Sequence, residues 1–311
     1  MKPDRDIVII GGGVAGLTAA QYAARSNLNV LLIEELASGG QALLIENIEN
    51  FPGMPEPVNG YDLSQLFEEQ ARNFGAEIRN TTVTALKKEG GVFVIETGSD
   101  KITSYAVILA TGAKHKHLGV PGEKEFTGRG GSYCATCDGP FFKGKNILVV
   151  GGGDAACDEA MFLSKLSDSV TLVHRRDRFR AQKALAERTM KNQTLKIRFN
   201  TVLKEIKGST KVEKVVLEDL STGTVSEEQM DAVFVFIGSE PQTRLVPDIK
   251  KDEGGFIVTD QRMETEVSGL FAVGDLRSSP FRQLVVASGE GAVAAHCAAQ
   301  YIDDIKGEAY I

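Results

Sequence analysis

The sequence predicts an α/β protein of two Rossmann-like dinucleotide-binding domains, the second inserted into the first. Three observations predict it. The apolar run Asp6-Ile7-Val8-Ile9-Ile10 ends at once on Gly11-Gly12-Gly13-Val14-Ala15-Gly16. The same pattern returns at Asn146 to Val150, followed by Gly151-Gly152-Gly153-Asp154-Ala155-Ala156. Later the chain resumes the first type of domain, with Gly269-Leu270-Phe271-Ala272-Val273 delivering Gly274-Asp275. Continuous apolar runs are strands buried on both faces of a parallel sheet, and glycines directly after them let the backbone turn tightly and approach a pyrophosphate. The expected boundaries are 1–113 and 242–311 for the first domain and 114–241 for the inserted one.

In order, a helix from about Val14 to Arg25 follows the first glycines, and a strand from Asn29 to Ile33 ends on Glu34, eighteen residues after Gly16. In this context Gly11, Gly13, Ala15 and Gly16 form the turn at the helix N-terminus that takes a pyrophosphate. Glu34 is the acid for free ribose hydroxyls. Val83 to Lys88 and Val92 to Thr97 flank Glu89-Gly90-Gly91 as a hairpin, and Ala106 to Leu109 runs into Ala110-Thr111-Gly112 to close the unit. In the second unit a helix to about Leu166 leads to the strand Val170 to Val173. Eighteen residues after Ala156 stands His174, with Arg175, Arg176, Arg178 and Arg180 close behind. Guanidinium groups where the first unit has a carboxylate favour a ribose 2′-phosphate, so the first unit takes an unphosphorylated dinucleotide and the second NADPH. A solvated basic face is the competing reading of these arginines. Ala232 to Ile237 ends at Gly238-Ser239-Glu240-Pro241, and a small-residue helix from about Leu284 to Tyr301 completes the chain. Asp275, at a strand end, suits a ribitol or phosphate-adjacent hydroxyl, or else caps a helix.

Composition bounds the function. With 311 residues the chain exceeds one usual core, and 42% apolar with 25% charged residues describes an ordinary globular protein. A net charge of -7 and a pI near 5.3 argue against nucleic acid or an anionic membrane as partner. Met1 to Asp6 carries both charge signs and leads into only four apolar residues before Gly11, too few for a signal segment. No apolar run approaches the ~20 residues of a membrane span. Four cysteines, with Cys157 and Cys297 isolated, make no secreted disulfide framework, so the expected compartment is the reducing cytoplasm.

Between the two fingerprints lies Cys134-Ala135-Thr136-Cys137-Asp138-Gly139. So short a loop constrains the unfolded chain weakly, which favours a redox pair that opens and closes over a staple. Asp138 adds a carboxyl able to exchange a proton beside the sulfur that leaves as thiolate. Half of a zinc site with His115 and His117 is the rival; no second CxxC exists, and no metal is expected.

Together these residues closely resemble the low-molecular-weight, bacterial-type thioredoxin reductases. The resemblance runs over nearly the whole chain: the first fingerprint, Gly39-Gly40-Gln41, Glu49-Asn50-Phe51-Pro52-Gly53, Ala110-Thr111-Gly112, Cys134 to Gly139, Gly151 to Ala156, His174 to Arg180, Gly274-Asp275 and Arg282-Gln283. It implies FAD in the first domain, NADPH in the second, and electron flow from NADPH through flavin to a Cys134–Cys137 disulfide and on to thioredoxin. By resemblance Cys137 faces the flavin, Cys134 attacks the thioredoxin disulfide and Asp138 is the proton donor. Gly40, Gln41, Asn50, Thr111, Gly112, Gly274, Asp275, Arg282 and Gln283 match contacts to FAD. Gly151, Gly153, Asp154, Ala155, Ala156, His174, Arg175, Arg176 and Arg180 match contacts to NADPH. The resemblance also implies a homodimer, thioredoxin contacts at Arg129, Phe141 and Phe142, and a rotation of one domain about the two crossings. Ala155 departs from a frequent serine, and Pro140 precedes Phe141-Phe142 with a fixed φ that alters their presentation. A reductase of a glutaredoxin-like or peroxiredoxin-linked carrier, or a flavin-dependent dithiol oxidase on the same scaffold, is the alternative.

Overall fold

The structure, a computed structural model, describes residues 2–45, 48, 50–98 and 100–307. The chain divides into two units, Met1–Lys114 with Glu240–Ile311, and His115–Ser239.

The first unit begins with β1 (Arg5–Ile10), α1 (Val14–Arg25) and β2 (Val30–Glu34). β1 and β2 pair in parallel, Ile7 opposite Val30 and Ile9 opposite Leu32. Gly11, at φ 109°, makes the turn between β1 and α1; a side chain there would strike the carbonyl of Ala110. α2 (Gly60–Asn73), capped by the Asn59 side chain on Tyr61 N–H, leads to β3 (Glu77–Asn80). β4 (Val83–Glu89) and β5 (Val92–Thr97) form the expected hairpin, and β6 (Lys101–Leu109) starts five residues before the run from Ala106. Only its second half is uniformly buried, which is why the N-terminal part lacked a continuous apolar signal.

β7 (Ala113–His115) carries the chain into the second unit. There follow β8 (Gly131–Ser132), the single turn α3 (Ala135–Asp138), β9 (Ile147–Gly151), α4 (Asp154–Leu163), β10 (Val170–Val173), α5 (Lys183–Lys191) and β11 (Leu195–Arg198). β12 (Thr201–Lys207), β13 (Lys214–Asp219) and β14 (Thr224–Gln229) make a separate antiparallel sheet, and β15 (Ala232–Phe236) returns to the parallel one. That sheet has the order β11-β10-β9-β15-β8. α4 stops at Leu163, three residues short of expectation, because Lys165 N–H and Leu166 N–H bond three residues back, to Phe162 and Leu163.

β16 (Ser239–Pro241) returns the chain and lies beside β7 as a two-stranded ribbon. β17 (Leu270–Ala272) then pairs in parallel with β6, Leu270 opposite Val107. The first unit's sheet reads β3-β2-β1-β6-β5-β4, with β17 attached to β6. α6 (Leu284–Lys306) runs past Tyr301 and stops at Gly307, whose φ of 72° only glycine adopts easily. One core packs α1 and α6 on the sheet through Ile9, Leu17, Leu32, Ile108 and Phe271, all fully buried. A second core fills its other face with Val8, Leu31, Ile95, Val107 and Ile257.

Candidate active site

In the second unit Cys134 and Cys137 are joined as a disulfide, their Cα atoms 5.3 Å apart. The bridge spans α3. Cys134 is the N-cap of that turn, its sulfur accepting Cys137 N–H at 3.3 Å, and Asp138 N–H donates to the Cys134 carbonyl at 3.1 Å. The turn sits close against α4: a side chain at Gly139 would come within 2.8 Å of Leu163. Both sulfurs' residues and Asp138 are half-buried. His115 and His117 both meet Tyr133 instead, the first stacked on its ring, the second bonded to its hydroxyl. Among the described residues no group of three or more His, Cys, Asp or Glu is placed to hold a metal. Phe141 is exposed, whereas Phe142 turns inward, its ring edge on Phe234 at 6.0 Å. Arg129 is exposed, its guanidinium on the Glu125 carbonyl.

The second fingerprint stands at the end of β9. Gly153 is the N-cap of α4, and a Cβ there would meet nothing within 4 Å, so the face over the helix N-terminus is open to an anion. Gly152 carries His174 against it: a Cβ would fall 2.2 Å from the imidazole. His174 is 7% exposed, burial first and then Arg176, Arg180 and Arg175 push its pKa down, and Nε2 has no partner. It is a neutral ring packed behind the turn, not a surface cation. Arg175, Arg176 and Arg180 are exposed, and Arg180 N–H ties its loop to the Gly152 carbonyl at 2.7 Å. Asp154 accepts Gln182 N–H at 2.7 Å, fastening that loop to the start of α4 beside Ala155 and Ala156.

In the first unit Gly13 caps α1 with the same open face. Gly16 must be glycine, since a Cβ would overlap the Gly11 carbonyl at 1.9 Å. Glu34 accepts Gly12 N–H at 2.6 Å and Leu36 N–H at 3.0 Å, so it braces the turn and retains lone pairs for a hydroxyl. The parallel bridge Gly13 to Gly39 brings Gly40 and Gln41 alongside, and the Gln41 amide donates to the Ala113 carbonyl. Thr111 Oγ1 donates to the Gln242 carbonyl at 2.8 Å, and Gln242 N–H to Gly112 O at 2.9 Å. Asn50 meets Gln283 at 3.2 Å; Glu49 lies outside the described residues. Gly274, at φ 69°, packs on Ala15 and sets Asp275 near the fingerprint. Burial raises the Asp275 pKa, Arg282 opposes that, and Glu290 adds to it. Arg282 lies over the Phe256 ring, 3.9 Å from its centre, with a buried Nε that has no partner.

An unsatisfied buried guanidinium nitrogen, a desolvated carboxyl and an open helix N-terminus are what a flavin dinucleotide would complete, so these residues fit FAD. The open start of α4 and the exposed Arg175, Arg176 and Arg180 fit a phosphorylated nicotinamide dinucleotide in the same way. Sequence reasoning missed Glu290. It is 8% exposed on α6, accepts Gly274 N–H at 2.8 Å and pairs with Arg277 at 2.5 Å, holding the Gly274 turn in place. An acid among the small residues near the start of that helix is the only signal it left.

The profile of the pyridine nucleotide-disulphide oxidoreductases matches residues 5–291. A thioredoxin reductase of Treponema pallidum is 54% identical over 306 residues, 98% of this chain and 100% of that protein. One from Bacillus subtilis is 44% identical over 97% of this chain and 96% of that protein. The crystal structure of thioredoxin reductase from Streptococcus pyogenes superposes with a TM-score of 0.91 at 42% identity, covering 96% of this chain and 98% of that one. The chain belongs to the pyridine nucleotide-disulphide oxidoreductase family and, within it, to the thioredoxin reductases.

Proposed function

We propose that this enzyme reduces the disulfide of thioredoxin with NADPH, giving thioredoxin dithiol and NADP+ with uptake of one proton. The observation that carries the reading is the Cys134–Cys137 disulfide followed by Asp138, in a unit with its own dinucleotide fingerprint. FAD, when bound, passes the electron pair of NADPH to that disulfide. Gly11, Gly13, Ala15, Gly16 and the α1 N-terminus would hold its pyrophosphate, Glu34 its ribose, and Gly40, Gln41, Asn50, Thr111, Gly112, Gly274, Asp275, Arg282 and Gln283 its flavin half. On the nucleotide side Gly151, Gly153, Ala155 and Ala156 shape the turn, Asp154 and His174 brace it, and Arg175, Arg176 and Arg180 face the 2′-phosphate. Reduction breaks the Cys134–Cys137 bond and leaves two electrons on the pair. The Cys134 thiolate then attacks the partner disulfide, forming a mixed disulfide, and Cys137 attacks Cys134 to release the dithiol; Asp138 supplies a proton to a departing thiolate.

Thioredoxin docks on this reading at Arg129 and Phe141, with Phe142 supporting from beneath. The relatives are reductases, which gives no support to a dithiol oxidase. The enzyme works as a homodimer, supported by the exposed Tyr22 on α1, Tyr61 and Leu66 on α2 and Phe74 just after α2. It works in the cytoplasm, supported by two cysteines left as buried free thiols. No helix among the described residues is long and apolar enough to cross a membrane.

The test is the purified protein's absorption spectrum before and after anaerobic NADPH, then turnover with thioredoxin. A yellow protein bleached by NADPH is expected, with Cys134→Ser and Cys137→Ser both unable to reduce thioredoxin yet still bleached. A colourless protein that cannot be reconstituted with FAD sinks the reading, and so does Cys134→Ser turning over normally.

A further inference from the structure

Tyr133 stands immediately before Cys134, and its side chain is held from three directions. The hydroxyl donates to Glu123 Oε1 at 2.9 Å and lies 2.8 Å from His117 Nδ1, while the ring stacks on His115 with centroids 5.2 Å apart and planes 14° from parallel. Glu123 is 5% exposed and also accepts the amides of Leu118 at 2.9 Å and Gly119 at 2.7 Å. A carboxylate only accepts, so it takes the single phenolic proton; His117 must then donate from Nδ1 to the phenol oxygen. Burial, followed by Glu123, pushes the phenol pKa well up, so it stays a donor across the working pH range. The hydroxyl is therefore engaged both as donor and as acceptor, and one face of the half-buried ring is stacked on His115. None of these contacts involves a sulfur.

On the main chain the same stretch is clamped again. Ser132 Oγ accepts Cys134 N–H at 3.1 Å and lies 3.3 Å from the Cys134 carbonyl, and Ser132 itself sits in β8, paired with Phe234 of β15. While the disulfide is closed, the covalent bridge also orders Cys134. Opening it removes that tie at the step when the freed thiolate must line up with a disulfide on another protein, a reaction sensitive to misplacement of about 1 Å.

We propose that Tyr133, locked through Glu123, is a positioning residue that keeps Cys134 aligned once the disulfide is open. The proposal rests on the thioredoxin reductase reading for its kinetic consequence, and on the structure alone for its mechanical one. Tyr133→Phe keeps the stacked ring and loses the bonds. In the FAD-loaded enzyme it is expected to lower kcat with thioredoxin about tenfold, the size of one lost hydrogen bond, with KM and flavin reduction by NADPH unchanged within about twofold. Alkylation of reduced Cys134 by iodoacetamide, which needs no fixed approach, keeps its rate. Glu123→Gln has the same effect, and the double variant is no slower than the slower single one, because both act through one support.

A second measurement does not depend on the carrier. In dithiothreitol-reduced enzyme, amide hydrogen exchange of residues 132–136 is expected to be faster in Tyr133→Phe than in the parent, with no difference between the two when oxidised. Equal exchange in both redox states, additive losses in the double variant, or flavin reduction falling in step with turnover would each overturn the proposal. If the parent fails to reduce thioredoxin while reduced Tyr133→Phe still exchanges faster, the functional reading fails and the positioning role stands.

Discussion

Arg175 and Arg176 lie just past β10, after His174, and are exposed, so water and salt weaken whatever bonds they make. Coenzyme preference is accordingly expected to be solid but limited. Replacing both with alanine should reduce the NADPH over NADH ratio of kcat/KM by about ten- to a hundredfold, and an unchanged ratio would assign the 2′-phosphate to other residues. His174 belongs to a different layer. Its ring fills the space that Gly152 leaves, and its burial, which no motif states, distinguishes it from the exposed arginines that follow. A half-buried acid in the same unit gives a pH test. Burial, and then Asp158, raise the Glu159 pKa to about 7 from the usual 4.5. The native state thus holds this proton more tightly than the unfolded chain, so its contribution to stability is complete below about pH 4.5 and is lost as pH rises through 7. Unfolding of apoprotein in urea should show Glu159→Gln level with the parent near pH 5 and increasingly more stable than it by pH 8. A gap that narrows with pH would contradict the burial.

At the scale of elements, α6 carries two glycines with opposite demands. A methyl at Gly291 would lie 2.2 Å from the Ala15 carbonyl of α1, whereas one at Gly289 meets nothing within 4 Å. Gly291→Ala is expected to cost about 1 to 3 kcal/mol by forcing α6 from α1. It should also weaken FAD binding, since α1 presents the fingerprint. Gly289→Ala should be stabilising by up to about 1 kcal/mol from helix propensity. Urea unfolding and FAD titration of both variants check the pair, and equal effects would mean that α1 and α6 are not in such close contact. Strands with a continuous buried run, such as β1 and β9, were legible because a short run of branched apolar residues ending on glycines fits a central parallel strand and little else. β12 to β14 were not read at all. They carry charges on the open face, as in the ion pair of Lys214 with Glu227, and a register shift between Leu203 and Glu205 breaks the alternation that would have marked them. The support around Tyr133 was equally hidden, because its acid, phenol and two histidines join only when residues 115 to 133 fold back on themselves.

For the whole molecule, the repeat of one pattern inside another was visible because glycine spacing and closing strands survive any insertion. The ribbon of β7 and β16 was not, each strand being only three residues long with no apolar run. Its consequence lies in the order of folding. The first unit cannot complete its sheet until β17 reaches β6, and the 125 residues of His115–Ser239 intervene. Closing so long an unstructured loop costs about 4 kcal/mol of chain entropy. If the inserted unit folds first, Lys116 N–H bonded to the Gly238 carbonyl already holds the two ends together, and that penalty falls on a unit able to meet it from its own core. Pulse-labelled hydrogen exchange during refolding is therefore expected to protect Leu148, Val149 and Leu172 before Phe271 and Ala272. The reverse order would mean that the outer sheet closes around a loop that is still unfolded.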